Sequence, residues 1–105
     1  MARYALKFMF DWGSGTCLWS TNDVAREKYG YPVDIEQLPI SSELAKSLIE
    51  LVDKHDEALD WDCPNNDLLW NEEQVKLFLQ NARRYYERLC EEIGEEYSIE
   101  FWDGM

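Results

Sequence analysis

Over residues 4–12, Tyr-Ala-Leu-Lys-Phe-Met-Phe-Asp-Trp, the even positions Tyr4, Leu6, Phe8 and Phe10 are apolar or aromatic, and Lys7 and Asp11 fall on the other face. A period of two is that of a half-buried strand. Gly13-Ser14-Gly15 interrupts it, since two glycines in three residues supply the dihedrals of a tight connection. Thr16-Cys17-Leu18-Trp19 then reads as a short returning strand. Ser20-Thr21-Asn22-Asp23 is a capping cluster ahead of Val24–Tyr29, and Gly30 and Pro32 follow. This predicts a helix of one to two turns that leans on the core through Val24, Ala25 and Tyr29. Residues 31–39 carry two prolines and read as an irregular traverse.

The apolar period then lengthens. Leu44, Leu48, Leu51, Val52 and Leu59 recur at helical spacing, which predicts a first long helix from Ser41 or Ser42 to about Leu59, stopped before Pro64. With Ser41 as N-cap, Ile40 and Ala45 take the staple positions and Glu43 lies in the first turn. A second long helix starts at Asn71, with Gln74 completing a capping box and Trp70 set to meet Val75. Its stripe is Val75, Phe78, Leu79, Ala82, Tyr85, Tyr86, Leu89 and Ile93, and Gly94 ends it. Tyr97–Phe101 alternates again, with Tyr97, Ile99 and Phe101 inward. The order predicts a single α+β domain over residues 1–105. A small, mainly antiparallel sheet is covered on one face by two long antiparallel helices, plus one short helix.

Charge sharpens this picture. Among 105 residues, 22 are Asp or Glu and 10 are Lys or Arg, for a formal net charge of −12. Residues 1–52 hold 7 acids and 5 bases, whereas residues 53–105 hold 15 acids and 5 bases. Such a chain cannot neutralise a run of phosphates, so nucleic acid is not an expected partner. A hydrophobic content of 46%, with 15 aromatic residues, argues for a folded core. Without a signal-length or membrane-length apolar run, the expected location is the cytoplasm, with no membrane partner. Cys17, Cys63 and Cys90 are odd in number and widely spaced, as suits reduced, partly buried thiols.

Candidate chemistry is sparse. His55 is the only histidine and sits close to the apolar stripe of the first long helix, where a buried, hydrogen-bonded role competes with a general-base role. Asp62–Glu73 compares poorly with a calcium loop, because proline falls at its third position and aspartate at its sixth, and a register from Asp60 puts Asn71 at the twelfth. No Cys/His cluster, Walker motif or Gly-x-Ser-x-Gly elbow is present. No catalytic, cofactor-binding or metal-binding residue is assigned, and no cofactor is expected. Tryptophans beside aspartates in loops, as at Trp12 and Trp61, suit either sealing the ends of a thin core or anchoring on a basic protein surface. The candidate partner contacts are Trp12, Asp60, Trp61, Asp62, Glu91, Glu92, Glu95 and Glu96.

Several short motifs recur together: Phe10-Asp11-Trp12-Gly13 with Leu18-Trp19, Leu38-Pro39-Ile40-Ser41 at a helix start, and Leu59-Asp60-Trp61-Asp62-x-Pro64. In these the chain resembles a group of small acidic bacterial proteins of unassigned activity, some of them suspected to be immunity or accessory proteins of toxin loci. The resemblance implies an immunity or accessory role, and with the acidic charge and the aromatic anchors the expected function is a non-enzymatic acidic binding protein that neutralises a basic protein partner such as a toxin. Two alternatives stand beside it. One is a small hydrolase or transferase using His55 with a nearby carboxylate or Cys90. The other is a homodimer built on the adjacent Tyr85 and Tyr86, so the chain is expected as a monomer or homodimer.

Overall fold

The computed structural model describes residues 2–60, 62–63 and 68–102. Its elements in chain order are strand β1 (Tyr4–Phe8), strand β2 (Leu18–Ser20), helix α1 (Asp23–Tyr29), a 3₁₀ turn (Ile35–Gln37), helix α2 (Ser42–Asp56), helix α3 (Glu72–Ile93) and strand β3 (Tyr97–Phe101). The extents are 42 × 24 × 21 Å. No described helix is long and apolar enough to cross a membrane.

The sheet has the order β2-β1-β3, and here the expectation of a mainly antiparallel sheet needs correction. β1 pairs antiparallel with β2, Lys7 facing Trp19, but parallel with β3, Lys7 facing Glu100. The sheet is therefore mixed. Alternation reports which side chains point inward and says nothing of a neighbour's direction, so the pattern of Tyr97–Phe101 fits either pairing. A parallel neighbour needs a long crossover, and the segment carrying α2 and α3 supplies it.

β1 is shorter than the alternation suggests. It leaves the ladder after Phe8, whose carbonyl accepts the Trp102 N–H at 2.9 Å, while Phe10 stays buried beyond the strand's end. The traverse after α1 is more ordered than its prolines imply. Pro32 bridges to Trp19, and the backbone of Tyr31 and Val33 bonds to Ser20 and Leu18, covering the outer edge of β2.

The helix starts form as their caps dictate. The Asn22, Ser41 and Asn71 side chains accept from the N–H groups of Ala25, Leu44 and Gln74, and Gln74 returns the bond to Asn71. Gly30 closes α1 with φ 81°, a conformation that disfavours any side chain. Two expectations fail in detail. Val24 is 42% exposed, so α1 leans on the core through Ala25 and Tyr29 alone. α2 ends at Asp56, before Leu59, because Glu57 and Ala58 bond back to Lys54 and His55 in a tightened last turn, after which Ala58 accepts the Leu69 N–H.

The inward row of β1 joins Leu18, Ala25, Ile35, the stripe Leu44, Leu48, Leu51 and Val52, the stripe Phe78, Ala82, Leu89 and Ile93, and Ile99 in one apolar cluster. Ser41, at the start of α2, lies against Glu92 near the end of α3, and His55, at the end of α2, lies against Phe78 in the first half of α3. Leu48 is fully buried between these ends. Leu48→Ala is expected to cost about 2–5 kcal/mol through lost burial and the cavity left behind. Asn71→Ala, which removes the side-chain acceptor of the capping box and leaves the backbone N–H that Gln74 accepts, is expected to cost about 1 kcal/mol. Urea unfolding of the two variants checks both values.

Candidate functional site

The predicted contact residues fall into two groups at opposite ends of the helical layer. Ser41 and His55, which mark the two ends, are 14 residues apart along α2, or about 21 Å at the helical rise.

The first group gathers where α2 stops. Trp12, two residues beyond the buried Phe10, folds over the end of α2 and donates its indole N–H to the His55 carbonyl at 3.0 Å. Gly13 N–H donates to Asp56 Oδ1 at 3.1 Å. A backbone carbonyl and a carboxylate in the last turn of α2 are thereby joined to a tryptophan and a glycine from the β1–β2 connection. Trp12 is half-buried, so one residue acts as a clamp and still presents an edge to solvent. Asp60 accepts the N–H groups of Asp62 and Cys63, each at 3.2 Å, and Asp62 is exposed. Trp61 and residues 64–67 lie outside the described residues, and the calcium-loop comparison and Trp61 as a contact fall there with them. Among the described residues, no group of three or more His, Cys, Asp or Glu side chains could hold a metal ion.

His55 belongs to the same end but faces inward. Its ring is 1% exposed and lies between Trp12 (centroids 4.6 Å, 21°) and Phe10 (5.2 Å, 27°), with Phe78 at 5.8 Å. Its Nε2 is buried with no hydrogen-bond partner among the described residues. Burial lowers its pKa below the usual 6.5, overcoming the opposite pull of Asp56 and Asp11. Cys90, the proposed catalytic partner, is 12 residues from Phe78 along α3, or about 18 Å. His55 and Cys90 therefore form no dyad, and the neutral imidazole is a packing element of an aromatic stack. The sequence placed His55 near the stripe but gave no sign that Phe10 and Trp12, 45 and 43 residues earlier, would enclose it.

The second group is the α3 terminus and the turn that follows. Glu91, Glu92, Glu95 and Glu96 are all exposed. Glu92 is tied down, because its carboxylate accepts the Ser41 N–H at the start of α2, and that bond holds its pKa below the usual carboxylate range. The Glu96 carbonyl accepts the N–H groups of Arg3 and Tyr4, joining the turn to the start of β1.

Other expected features separate. Cys17 is buried, which pushes its thiol pKa up, Cys90 is half-buried and Cys63 is exposed; all three are free. Tyr86 is committed to the core, donating to the Ile99 carbonyl at 2.6 Å and packing on Phe8 and Phe101. Tyr85 is half-buried beside Arg84 and Arg88. Pattern reading also missed the outer face of the sheet, where the Lys7 ammonium lies 4.8 Å from the Trp102 ring and 5.6 Å from the Tyr31 ring. The lone Lys7 among apolar neighbours was its only signal in the sequence.

The environment of His55 gives a pH dependence with a definite sign. A histidine whose folded pKa lies below its unfolded value stabilises the fold above the unfolded pKa. That contribution is lost as pH falls, because the unfolded chain takes up the proton more readily. Stability is therefore expected to fall as pH drops through about 6.5, and His55→Gln is expected to flatten that part of the profile. Denaturant unfolding of both proteins at stepped pH checks this.

No curated relative matches the sequence. A protein-family model described as Serratia CdiI immunity protein-like matches residues 4–104, nearly the whole chain and every element from β1 to β3. The chain belongs to the Serratia CdiI immunity protein-like family.

Proposed function

We propose that the chain binds and neutralises a toxin protein, without catalysis of its own, by placing acidic surface over a basic region of its partner. The observation that carries this is the family match over residues 4–104. The charge distribution supports it. Among the described residues, the ion pairs are Arg26–Asp23, Lys54–Glu57 and Arg83–Glu87, each between residues three or four apart and exposed. Pairs of this kind contribute about 0–1 kcal/mol. Most of the acidic surplus is thus not neutralised within the fold and acts outward.

In this mechanism the field of a −12 chain draws a cationic partner in and raises the association rate. Glu91, Glu95 and Glu96 at one end, and Asp60 and Asp62 at the other, receive Lys and Arg side chains. Trp12 and Trp61 supply the aromatic contact area that carries affinity once water is excluded. Both Glu92 and Trp12 also hold the fold together, so exposed neighbours are the cleaner test positions.

Co-expression with a cognate toxin domain is expected to protect the cell. The association rate of the purified pair is expected to fall steeply between low and physiological salt as the charges are screened. Glu91→Lys with Glu95→Lys should slow association roughly tenfold while leaving the fold intact, as rim charges act mainly on encounter. A chain that gives no protection, or a rate indifferent to salt and to both reversals, would overturn the proposal.

A further inference from the structure

A groove of about 680 Å³ runs between the 3₁₀ turn and one side of α2. Leu38 and Ala45 form its floor, and the half-buried Ile40 and Ile49 form its walls. Glu36 and Glu50 stand exposed on its rim with Lys46, and neither carboxylate is ion-paired among the described residues. The groove is preformed. The Asp34 side chain caps the 3₁₀ turn by accepting the Glu36 N–H at 3.0 Å, Ile40 N–H bonds to the Leu38 carbonyl at 2.8 Å, and Ser41 is tied to Glu92. The carboxylates that line it are Glu36 and Glu50, with Lys46 as the local cation, and the Ser41 bond brings Glu92, near the acidic end of α3, to the residue next to the groove's Ser42.

An aliphatic floor of this size, with two carboxylates and one lysine on its rim, is matched by apolar side chains flanked by Lys or Arg. We infer that this groove is the docking site for a basic amphipathic segment of the protein partner, whose apolar side chains enter between Leu38 and Ile49 while its cations meet Glu36 and Glu50. This rests on the toxin-neutralising role proposed above and assigns it a surface. The apolar contacts hold the partner, and Glu36 and Glu50 select a cationic segment against an acidic one.

The probe is a short helical peptide of leucine and lysine, titrated into the isotope-labelled full chain and followed by amide chemical shifts. One control replaces its lysines with glutamate, and a second is lysine without leucine. The expected result is saturable shifts centred on Leu38, Ile40, Ala45 and Ile49 with the leucine-lysine peptide, and none there with either control. Ile49→Lys should weaken binding at least about tenfold, and Glu36→Lys with Glu50→Lys, both at exposed positions, should do the same without touching the floor. Shifts centred instead on Glu91–Glu96 or on the Lys7–Trp102 face would overturn the inference. So would undiminished binding by a folded Ile49→Lys variant. Full protection of cells against the toxin by that folded variant would overturn the groove as the toxin's docking site while leaving neutralisation itself intact.

Discussion

Phe8 sits at 0% exposure at the point where the layers of this protein meet. Its ring packs edge-on against Phe10 and Tyr86 and stacks on Phe101, at centroid separations of 5.4, 5.7 and 5.6 Å. Through those three rings one residue of the central strand locates its own continuation, the long helix and the parallel neighbour strand. The same inward row repeats the device at each end: Tyr4 contacts Tyr29 of α1 and Tyr97 of β3, and Phe10 contacts His55 of α2 and Phe78 of α3. Aromatic pairs add roughly 0.5–1.5 kcal/mol each beyond the area they bury, and their preferred geometries make the packing directional. A three-stranded sheet offers little apolar area, so a row of large rings is an effective way for it to hold three helices.

That thin core also governs the charge. With the interior filled by rings and aliphatic stripes, the carboxylates collect at the helix ends and in the loops. Several of them are structural there. Glu92 caps the start of α2, Asp56 receives the Gly13 N–H, and Asp34 and Asp60 organise short turns. The same residue types therefore serve the fold through backbone amides and shape the external field through their sign. Acidity in this chain is a property of its ends, and the preformed apolar groove beside α2 lies next to one of them.

Local signals in the sequence were read well wherever the structure is local. The caps at Asn22, Ser41 and Asn71, the stop at Gly94, the inward row of β1 and the stripe of α3 all lie where short-range pattern and hydrogen-bonding chemistry place them. The readings that failed depend on distant partners. Val24 looked as apolar as Ala25, yet only the latter faces the sheet. Leu59 continued the stripe of α2, yet the helix tightens and stops at Asp56. The candidate contacts were legible as acids and tryptophans, but not as two groups about 21 Å apart, one of them containing a tryptophan already engaged as a clamp.

By itself the sequence determined the number and kind of the strands and α-helices, the inward faces of β1 and α3 and the sign of the field around the chain. These follow from side-chain periodicity, from capping chemistry within four residues, and from a sum over charges, none of which needs a long-range contact. Tertiary structure alone decided the parallel pairing of β1 with β3, the burial of a neutral His55 between Phe10 and Trp12, and the groove that Leu38 and Ile49 share. Each joins residues whose separation along the chain carries no periodic trace. Their meeting is set by how the layers pack around Phe8, and that is a property of volume and direction in space.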